Sequence, residues 1–564
     1  MEIPRVAHDT LLHGLDEPLD QQLQQAVHDI GHGARIAEDD VRVTIDDVNY
    51  KSTEKTPLLM AGKRVVTVDS DLDLMALAMK LTEEEHQAVL EDARTSATDI
   101  VQDELKRIFA MCGPLVLAIL MEQLPDTITM MMIGKSDPER STELLAAMGL
   151  SGLFQMLLIN GIVNGIGSAL DTVCSQAFGG KRYAEMWLVI QAGVLMFTPT
   201  LIVVSVLYLN GDTILRAMGQ DPALAETAWT FLFLSTLSLP LMMIYAIQRS
   251  MLQAQNITSP VAVSSAISYV LSIPAAYVLG FWTPLGYVGV AASTIINYVV
   301  KVLAIMPAIR NNAVFRETWP GWKLKEAAQL LFKLSRLGLS SILMATFQIL
   351  GFTVVSVLVG YLPNPAVAIT ANSILIQSAA FAMTPMMALC ISGAVRMGNA
   401  LGAGQARRAS LVSYTIIVLC ISTAFVGMII MMSAAGPITR TFTTDPETVE
   451  ATTTLFLQAG IVIPAIGASY GVQSIFRACG EQWLCAKLNF VFILVIGAPL
   501  GLYFATELDS GITGLWMGNC VGFLGLAASA GVWAYRMSWE EMAHNARVNT
   551  HLHVEVTPSC AEAA

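Results

Sequence analysis

The chain has 564 residues, of which 54% are hydrophobic and only 14% charged, with a mean hydropathy of +0.58. A soluble protein of this length carries closer to a quarter charged residues, so a water-soluble globular chain is excluded. Residues 1–109 hold 23 acidic and 11 basic residues, which accounts for nearly all of the net charge of −13. The acidity therefore describes one end of the chain, says nothing about a substrate, and gives no basic surface for nucleic acid.

Residues 1–107 read as an acidic, largely disordered cytosolic tail with the run Glu83-Glu84-Glu85. A short amphipathic helix near 94–108 is expected to lead into the membrane. The first long apolar stretch begins near Phe109, so no signal peptide is read and the tail is expected to stay cytosolic. Apolar runs of about twenty residues then follow one another, each able to cross a hydrocarbon core of roughly 30 Å. The predicted spans are 110–133, 144–168, 186–209, 227–252, 260–281 and 286–308, then 337–361, 366–390, 410–433, 451–475, 484–505 and 512–534. This gives an all-α polytopic membrane protein with twelve transmembrane helices. Its predicted parts are an N-lobe at 108–310, a cytosolic linker at 311–335, a C-lobe at 336–538 and a cytosolic tail at 539–564.

Loop charge orients the bundle. With the N-terminus inside, the even-numbered loops and the linker hold fourteen cations, Lys181, Arg182, Arg249, Arg396 and Arg477 among them, and the opposite side holds four. The positive-inside rule then puts both termini in the cytosol. The eight cysteines show no CxxC spacing, and all eight histidines lie before residue 87 or after residue 543. Neither disulfides nor a metal site is expected, and an intramembrane enzyme built on histidine is disfavoured.

The sequence also repeats. Gln-Asp-Pro at 220–222 and Thr-Asp-Pro at 444–446 each precede a helix with Glu, Pro and Ser at matching places: Glu226, Pro240 and Ser250 against Glu450, Pro464 and Ser474. Gln176-Ala-Phe-Gly-Gly likewise matches Asn399-Ala-Leu-Gly-Ala, and Pro274 lies near the counterpart of Pro499. A preserved offset means two six-helix halves. Six crossings return the chain to its starting side, so the repeats are parallel, related by an axis along the membrane normal. The pairs Gly161-xxx-Gly165 and Gly398-xxx-Gly402 indicate close helix packing.

The stretches Ser168-Ala-Leu-Asp-Thr-Val-Cys-Ser-Gln-Ala-Phe-Gly-Gly-Lys-Arg182, Val395-Arg-Met-Gly-Asn-Ala-Leu-Gly-Ala-Gly404 and Ile475-Phe-Arg-Ala-Cys-Gly480 resemble the multidrug and toxic compound extrusion (MATE) family, in particular its eukaryotic branch. The resemblance covers roughly residues 108–540. It implies two six-helix lobes and export of small organic compounds driven by inward movement of protons or sodium ions. Eukaryotic relatives usually carry a glutamate midway along the seventh helix, where this chain has Gln348, and the eighth helix shows Asn372 and Gln377 in place of an acid and tyrosines.

The membrane acids gather instead in the first helix. Glu122 and Asp126 are four residues apart and project from one helix face. Each costs on the order of 3 kcal/mol at the helix centre on insertion scales, a cost tolerated where both face a hydrated cavity. They are the candidate proton- or ion-coupling pair, and Pro125 between them is the candidate hinge, because proline removes a backbone hydrogen bond. Gln123, Gln155, Asn160, Asn164, Gln348, Asn372 and Gln377 are the candidate substrate-cavity residues. The plainer alternative for each amide is a helix–helix hydrogen bond. Asp171 reads as a cap or a partner of Lys181 or Arg182, and Lys301 as a cation snorkelling to the cytosolic surface or, alternatively, pairing with the first-helix acids.

These features predict a proton-coupled antiporter exporting small organic compounds, multidrug or metabolite. It needs no bound cofactor beyond the proton gradient (sodium remaining an alternative), and it works as a monomer in the lipid bilayer. The alternatives are a sodium-coupled or lipid-linked-substrate carrier of the same fold, or a membrane receptor. The expected location is the plasma membrane or a vacuolar or other internal membrane.

Overall fold

The computed structural model describes residues 94–137, 139–362, 364–442 and 445–550, with positions 90 and 92 and short pieces at 44–45, 48–49, 57–60 and 64–67. In lipid the backbone must satisfy its own hydrogen bonds, so apolar runs of this length become helices. Twelve crossings result. They are α1 (Ala97–Ser136), α2 (residues 141–179), α3 (Tyr183–Leu209), α4 (Pro222–Ala254), α5 (Ser259–Phe281) and α6 (Tyr287–Asn311). The second set is α7 (Leu331–Val359), α8 (Pro365–Gly402), α9 (Ala406–Ser433), α10 (Pro446–Ala459 with Val462–Cys479), α11 (Gln482–Thr506) and α12 (Gly511–Arg536). Among the described residues, ten of these are continuous and apolar enough to span a membrane on length and composition, and α10 is bent by 49°. In α2, Ser141–Gln155 and Gly161–Gly179 are joined by a π turn at Met156–Asn160. A second π segment, Phe490–Gly497, directly precedes Pro499 in α11, where proline removes a backbone donor and crowds the preceding turn.

Three regions differ from the expected boundaries. α1 is 40 residues long, about 60 Å at 1.5 Å per residue, so the helix expected at 94–108 is the same rod as the first span. Ser96 caps it, its hydroxyl accepting from the Asp99 N–H at 3.2 Å. The linker forms two short helices, Ala313–Thr318 and Leu324–Gln329, pinned by the Trp187 ring packed edge-on against Phe315 and Trp319. The region after α12 continues as α13 (Trp539–Thr550), which packs on α2, α8 and α9. Near the N-terminus, β1 (Thr44–Ile45) pairs with β2 (Val48–Asn49), and β3 (Pro57–Met60) with β4 (Arg64–Thr67), both antiparallel.

The repeat is written in the backbone as well as the sequence. Asp221 and Asp445, 224 apart, both cap a helix that opens on proline, each carboxylate accepting from backbone N–H groups two or three residues on. Lys181 and Gly404, 223 apart, both take positive φ, as do Asn256 and Gly480 at 224 and Gly286 and Gly511 at 225. A positive φ in a non-glycine residue is uncommon, so the recurrence of three left-handed corners marks two copies of one chain path. The buried apolar cores follow the halves. One core, around Ile166, Leu170, Ala192 and Leu232, belongs largely to the first; another, around Val355, Ala371, Phe456 and Phe523, belongs to the second.

Where the halves meet, glycine lets backbones touch. A Cβ on Gly402 would run into the Gln176 carbonyl, and one on Gly179 into the Asn399 carbonyl. Gly398 accommodates the Ser175 hydroxyl and Gly165 the Ile342 side chain. The contacts at Gly179, Gly398 and Gly402 lie at one end of the bundle, the end bearing Arg396, Arg407 and Arg408, referred to below as the basic end. Interlobe hydrogen bonds reinforce it. The Thr172 hydroxyl donates to the Arg477 carbonyl at 2.8 Å, and the Gln176 amide to the Ala478 carbonyl at 2.8 Å. Glu104, on the protruding part of α1, forms a two-pronged pair with Arg396 of α8 at 2.6 and 2.7 Å.

Candidate functional site

α1 carries Glu122 into the first lobe, where three neighbouring helices meet its carboxylate. From α4, the Tyr245 hydroxyl donates to Oε1 at 3.0 Å and also lies 3.1 Å from the Ser265 hydroxyl of α5. Arg249, one turn further along α4, places Nη1 3.7 Å from Oε2. Lys301 of α6 places Nζ 4.0 Å from Oε1 and sits over the rings of Tyr245 and Tyr298, 5.3 and 5.1 Å from their centroids. Such cation–π contacts stabilise an ammonium that has lost water. The Glu122 and Arg249 side chains keep about a quarter of their surface exposed, at 26% and 24%, whereas Lys301 keeps 3%. One carboxylate therefore faces two cations at distances longer than a tight ion pair, with an open side. That is an arrangement able to exchange partners.

A second polar cluster lies between the lobes at the basic end. A small cavity is lined by Ser168, Asp171 and Thr172 of α2, by Ile391, Ala394 and Val395 of α8, and by Arg477 of α10. Asp171 lies beside the Ser250 hydroxyl and within electrostatic reach of Arg249 and Arg477. Buried polar atoms of Asp171 (Oδ1), Ser168 (Oγ), Arg477 (Nε) and Arg249 (Nε) have no hydrogen-bond partner.

The other sequence-predicted residues are distributed as follows. Gln123 is half-buried and donates from its amide to the Thr384 hydroxyl of α8 at 3.4 Å, linking the lobes at mid-height. Pro125 is buried, and α1 runs through it without a break. Asp126 lies one turn beyond Glu122 in α1, and its side chain is outside the described residues, as is that of Asn160 in the π turn of α2. Gln155 is half-buried and Asn164 exposed, both on α2. Gln348 is buried on α7, its amide nitrogen unpartnered. Asn372, expected to line the cavity, is instead 2% exposed and taken up by packing within the second lobe. Its amide donates to Ser356 at 3.3 Å and accepts from the Trp516 indole at 3.0 Å. Gln377 is exposed on α8.

Lys301 does not snorkel: it is buried and takes the alternative partner, Glu122. Asp171 likewise pairs with neither Lys181 nor Arg182 in the expected way but faces Arg249 and Arg477. Arg249, counted among loop cations in the sequence, lies inside α4. Its spacing from Tyr245, four residues, was the available signal, since the two share a helix face.

Twelve helices in two repeats, with a partly exposed, ion-paired carboxylate inside the first, define a secondary-transporter fold. The MatE family model matches residues 114–278 and 340–503, one stretch in each half. The chain belongs to the MATE family of membrane transporters. Among curated proteins it is similar to Multidrug and toxin extrusion protein 1 of Homo sapiens, 27% identical over 478 residues, 82% of this chain and 80% of the relative. It is also similar to Protein DETOXIFICATION 17 of Arabidopsis thaliana, 25% identical over 430 residues, 74% of this chain and 87% of the relative. Among solved structures, the eukaryotic MATE transporter AtDTX14 superposes with a TM-score of 0.73 at 22% identity, covering 80% of this chain and 100% of that one.

Proposed function

We propose that the protein is a secondary active antiporter that exports small organic compounds in exchange for protons, with Glu122 as the coupling carboxylate and Asp126 as its neighbour on the same face. The observation that carries this reading is Glu122 itself: an intramembrane carboxylate, partly exposed, with a Tyr245 hydroxyl, Arg249 and Lys301 around it. An acid in a membrane helix is costly and is retained where it works. Protonation of Glu122 removes the charge that holds Arg249 and Lys301 in place, so one proton changes three helices at once. A sodium ion at the same carboxylate has to displace two cations already 3.7 and 4.0 Å away, which favours the proton over sodium. The basic end is read as cytosolic, with both termini on that side, and the names of the human and Arabidopsis relatives support efflux of toxic or foreign compounds.

The test is flux of a fluorescent organic cation, with an organic anion in parallel, into proteoliposomes under an imposed pH gradient. Gradient-driven accumulation is expected in the wild type and is expected to fall at least about tenfold in Glu122→Gln, a loss of roughly 1.4 kcal/mol of coupling. Uptake indifferent both to the gradient and to combined Glu122→Gln and Asp126→Asn overturns the reading.

A further inference from the structure

The interlobe cavity has a regular construction. Its three α8 residues, Ile391, Ala394 and Val395, are the repeat counterparts of its three α2 residues, Ser168, Asp171 and Thr172, each pair 223 residues apart. The cavity therefore sits on the pseudo-twofold axis, where the lobes must part if the basic end is to open. Its two walls are chemically opposite: hydroxyl, carboxylate and hydroxyl on the first repeat, three apolar side chains on the second. Arg477 of α10 closes the apolar side with a cation. Two buried polar atoms that line it, Asp171 Oδ1 and Ser168 Oγ, have no partner, and Ser168 is 5% exposed.

Arg249 connects this cavity to Glu122. It lies 3.7 Å from Glu122 of α1 and within electrostatic reach of Asp171 from α2, Tyr298 from α6 and Tyr245 of its own helix. Asp171 in turn lies beside Ser250 and within electrostatic reach of Arg249 from α4 and Arg477 from α10, with Cys174 on its own helix. The charges alternate in sign along one path: Lys301, Glu122, Arg249, Asp171, Arg477. The first four belong to the first lobe and the last to the second.

We propose that Asp171 is a second coupling carboxylate, the group through which the charge on Glu122 controls the lobe interface. While Glu122 is ionised it shares Arg249, and Asp171 faces Arg477 across the interlobe cavity, an attraction between opposite charges that favours the closed interface. When Glu122 takes a proton, Arg249 loses its partner at 3.7 Å and the carboxylate left within its reach is Asp171. Drawn toward Arg249, Asp171 moves away from Arg477, the attraction across the cavity weakens, and the basic end is freed to open. No proton leaves the path in this step; only ion pairing changes. Asp171 acts on the interface through its two arginines and is a positioning residue. The proposal rests on the reading of Glu122 as the coupling group.

The test is pulsed electron paramagnetic resonance in liposomes between spin labels on Lys181→Cys and Gln405→Cys, one in each lobe at the basic end, with the native cysteines replaced. In the otherwise native chain the distance is expected to widen on acidification. In Glu122→Gln it is expected to be wide at every pH, and in Asp171→Asn and Arg477→Gln the pH-dependent shift is expected to be lost. Asp171→Glu, which keeps the charge, is expected to retain part of the shift, which separates loss of charge from loss of fold. A native-like pH shift in Asp171→Asn, with the shift abolished in Glu122→Gln, overturns the role of Asp171 and leaves Glu122 standing. A shift that persists in Glu122→Gln, or is absent from the native chain, removes the underlying reading and the proposal with it.

Discussion

Glu104→Ala is the sharpest perturbation of the lobe interface. The Glu104 side chain is 1% exposed and that of Arg396 7%, and the two are joined by bonds of 2.6 and 2.7 Å. Removing one partner of a buried pair leaves the other charge uncompensated, at about 3–5 kcal/mol. Arg396 keeps one further acceptor, Asn256 Oδ1 at 3.2 Å, which places the cost near the lower figure. A loss of about 3 kcal/mol is roughly a 100-fold shift away from the state in which the basic end is closed. The converse change is milder, because Glu104 still faces Arg408 Nη1 at 3.3 Å when Arg396 is removed. Hydrogen exchange of the backbone amides of 395–404 reads the shift, since this end of α8 is packed against Ser175 and Gln176 of the first lobe while the lobes touch. Exchange is expected to accelerate strongly in Glu104→Ala, less in Arg396→Ala, and by less than the sum in the double variant, because the two share one interaction. Exchange in Glu104→Ala within about twofold of the native chain would refute the reasoning, since the pair would then contribute nothing to closure.

Gly402→Ala is expected to slow transport while leaving membrane expression intact, because its Cβ meets the Gln176 carbonyl, a backbone atom that cannot turn aside. Gly436→Ala, where a Cβ meets nothing within 4 Å, is the matched control in the same flux assay. Asp92 gives a pH dependence outside the membrane: burial raises its carboxyl above the ordinary value of 3.8, against the opposing pull of Arg408 and Arg407. A raised folded-state value means the docked segment binds the proton more readily than the free one. Docking is therefore favoured as pH falls, and the advantage is lost as pH rises from 3.8 through the raised value. Exchange of amides near 94–104, corrected for intrinsic rates, is expected to slow on acidification in the native chain and to lose that dependence in Asp92→Asn.

Twelve crossings and two halves were legible because lipid enforces them: apolar length sets each span, and a duplicated path leaves matching caps and corners. The pair Gly398 and Gly402 was legible too, since only a missing Cβ allows the contacts there; of the other pair, Gly165 packs closely on Ile342 whereas a Cβ on Gly161 would meet only the Met156 carbonyl of its own helix at 3.9 Å. The partners of the acids were not. Helical spacing puts Glu122 and Asp126 on one face but does not say which helix that face meets, and Arg249 and Lys301 lie 127 and 179 residues further along the chain. Asp171 was read against its nearest cations in sequence, Lys181 and Arg182, whereas its partners come from α4 and from the other lobe. Asn372 shows the same gap from the opposite direction: an amide deep in a helix looks the same in sequence whether it faces a cavity or, as here, a Trp516 indole.

The repeat makes the placement of charge informative. At the offsets that relate the halves, Glu122 corresponds to Ala345, Asp171 to Ala394, Arg249 to Gln473 and Lys301 to Leu526. The path has been kept while four of its five charges stand in the first copy and only Arg477 in the second. Each ion moved from water into a low-dielectric interior costs several kcal/mol even after relaxation, so a second charged set doubles that cost. Two sets also give two sites that titrate independently and two competing signals at the interface. With the carboxylates of the path in one lobe and the arginine facing them, Arg477, in the other, loss of negative charge from the path weakens the attraction between the halves. On the proposed mechanism, the asymmetry at the cavity, with Asp171 facing Ala394 and Arg477 across the pseudo-axis, is where the protonation of Glu122 acts on the lobe contact.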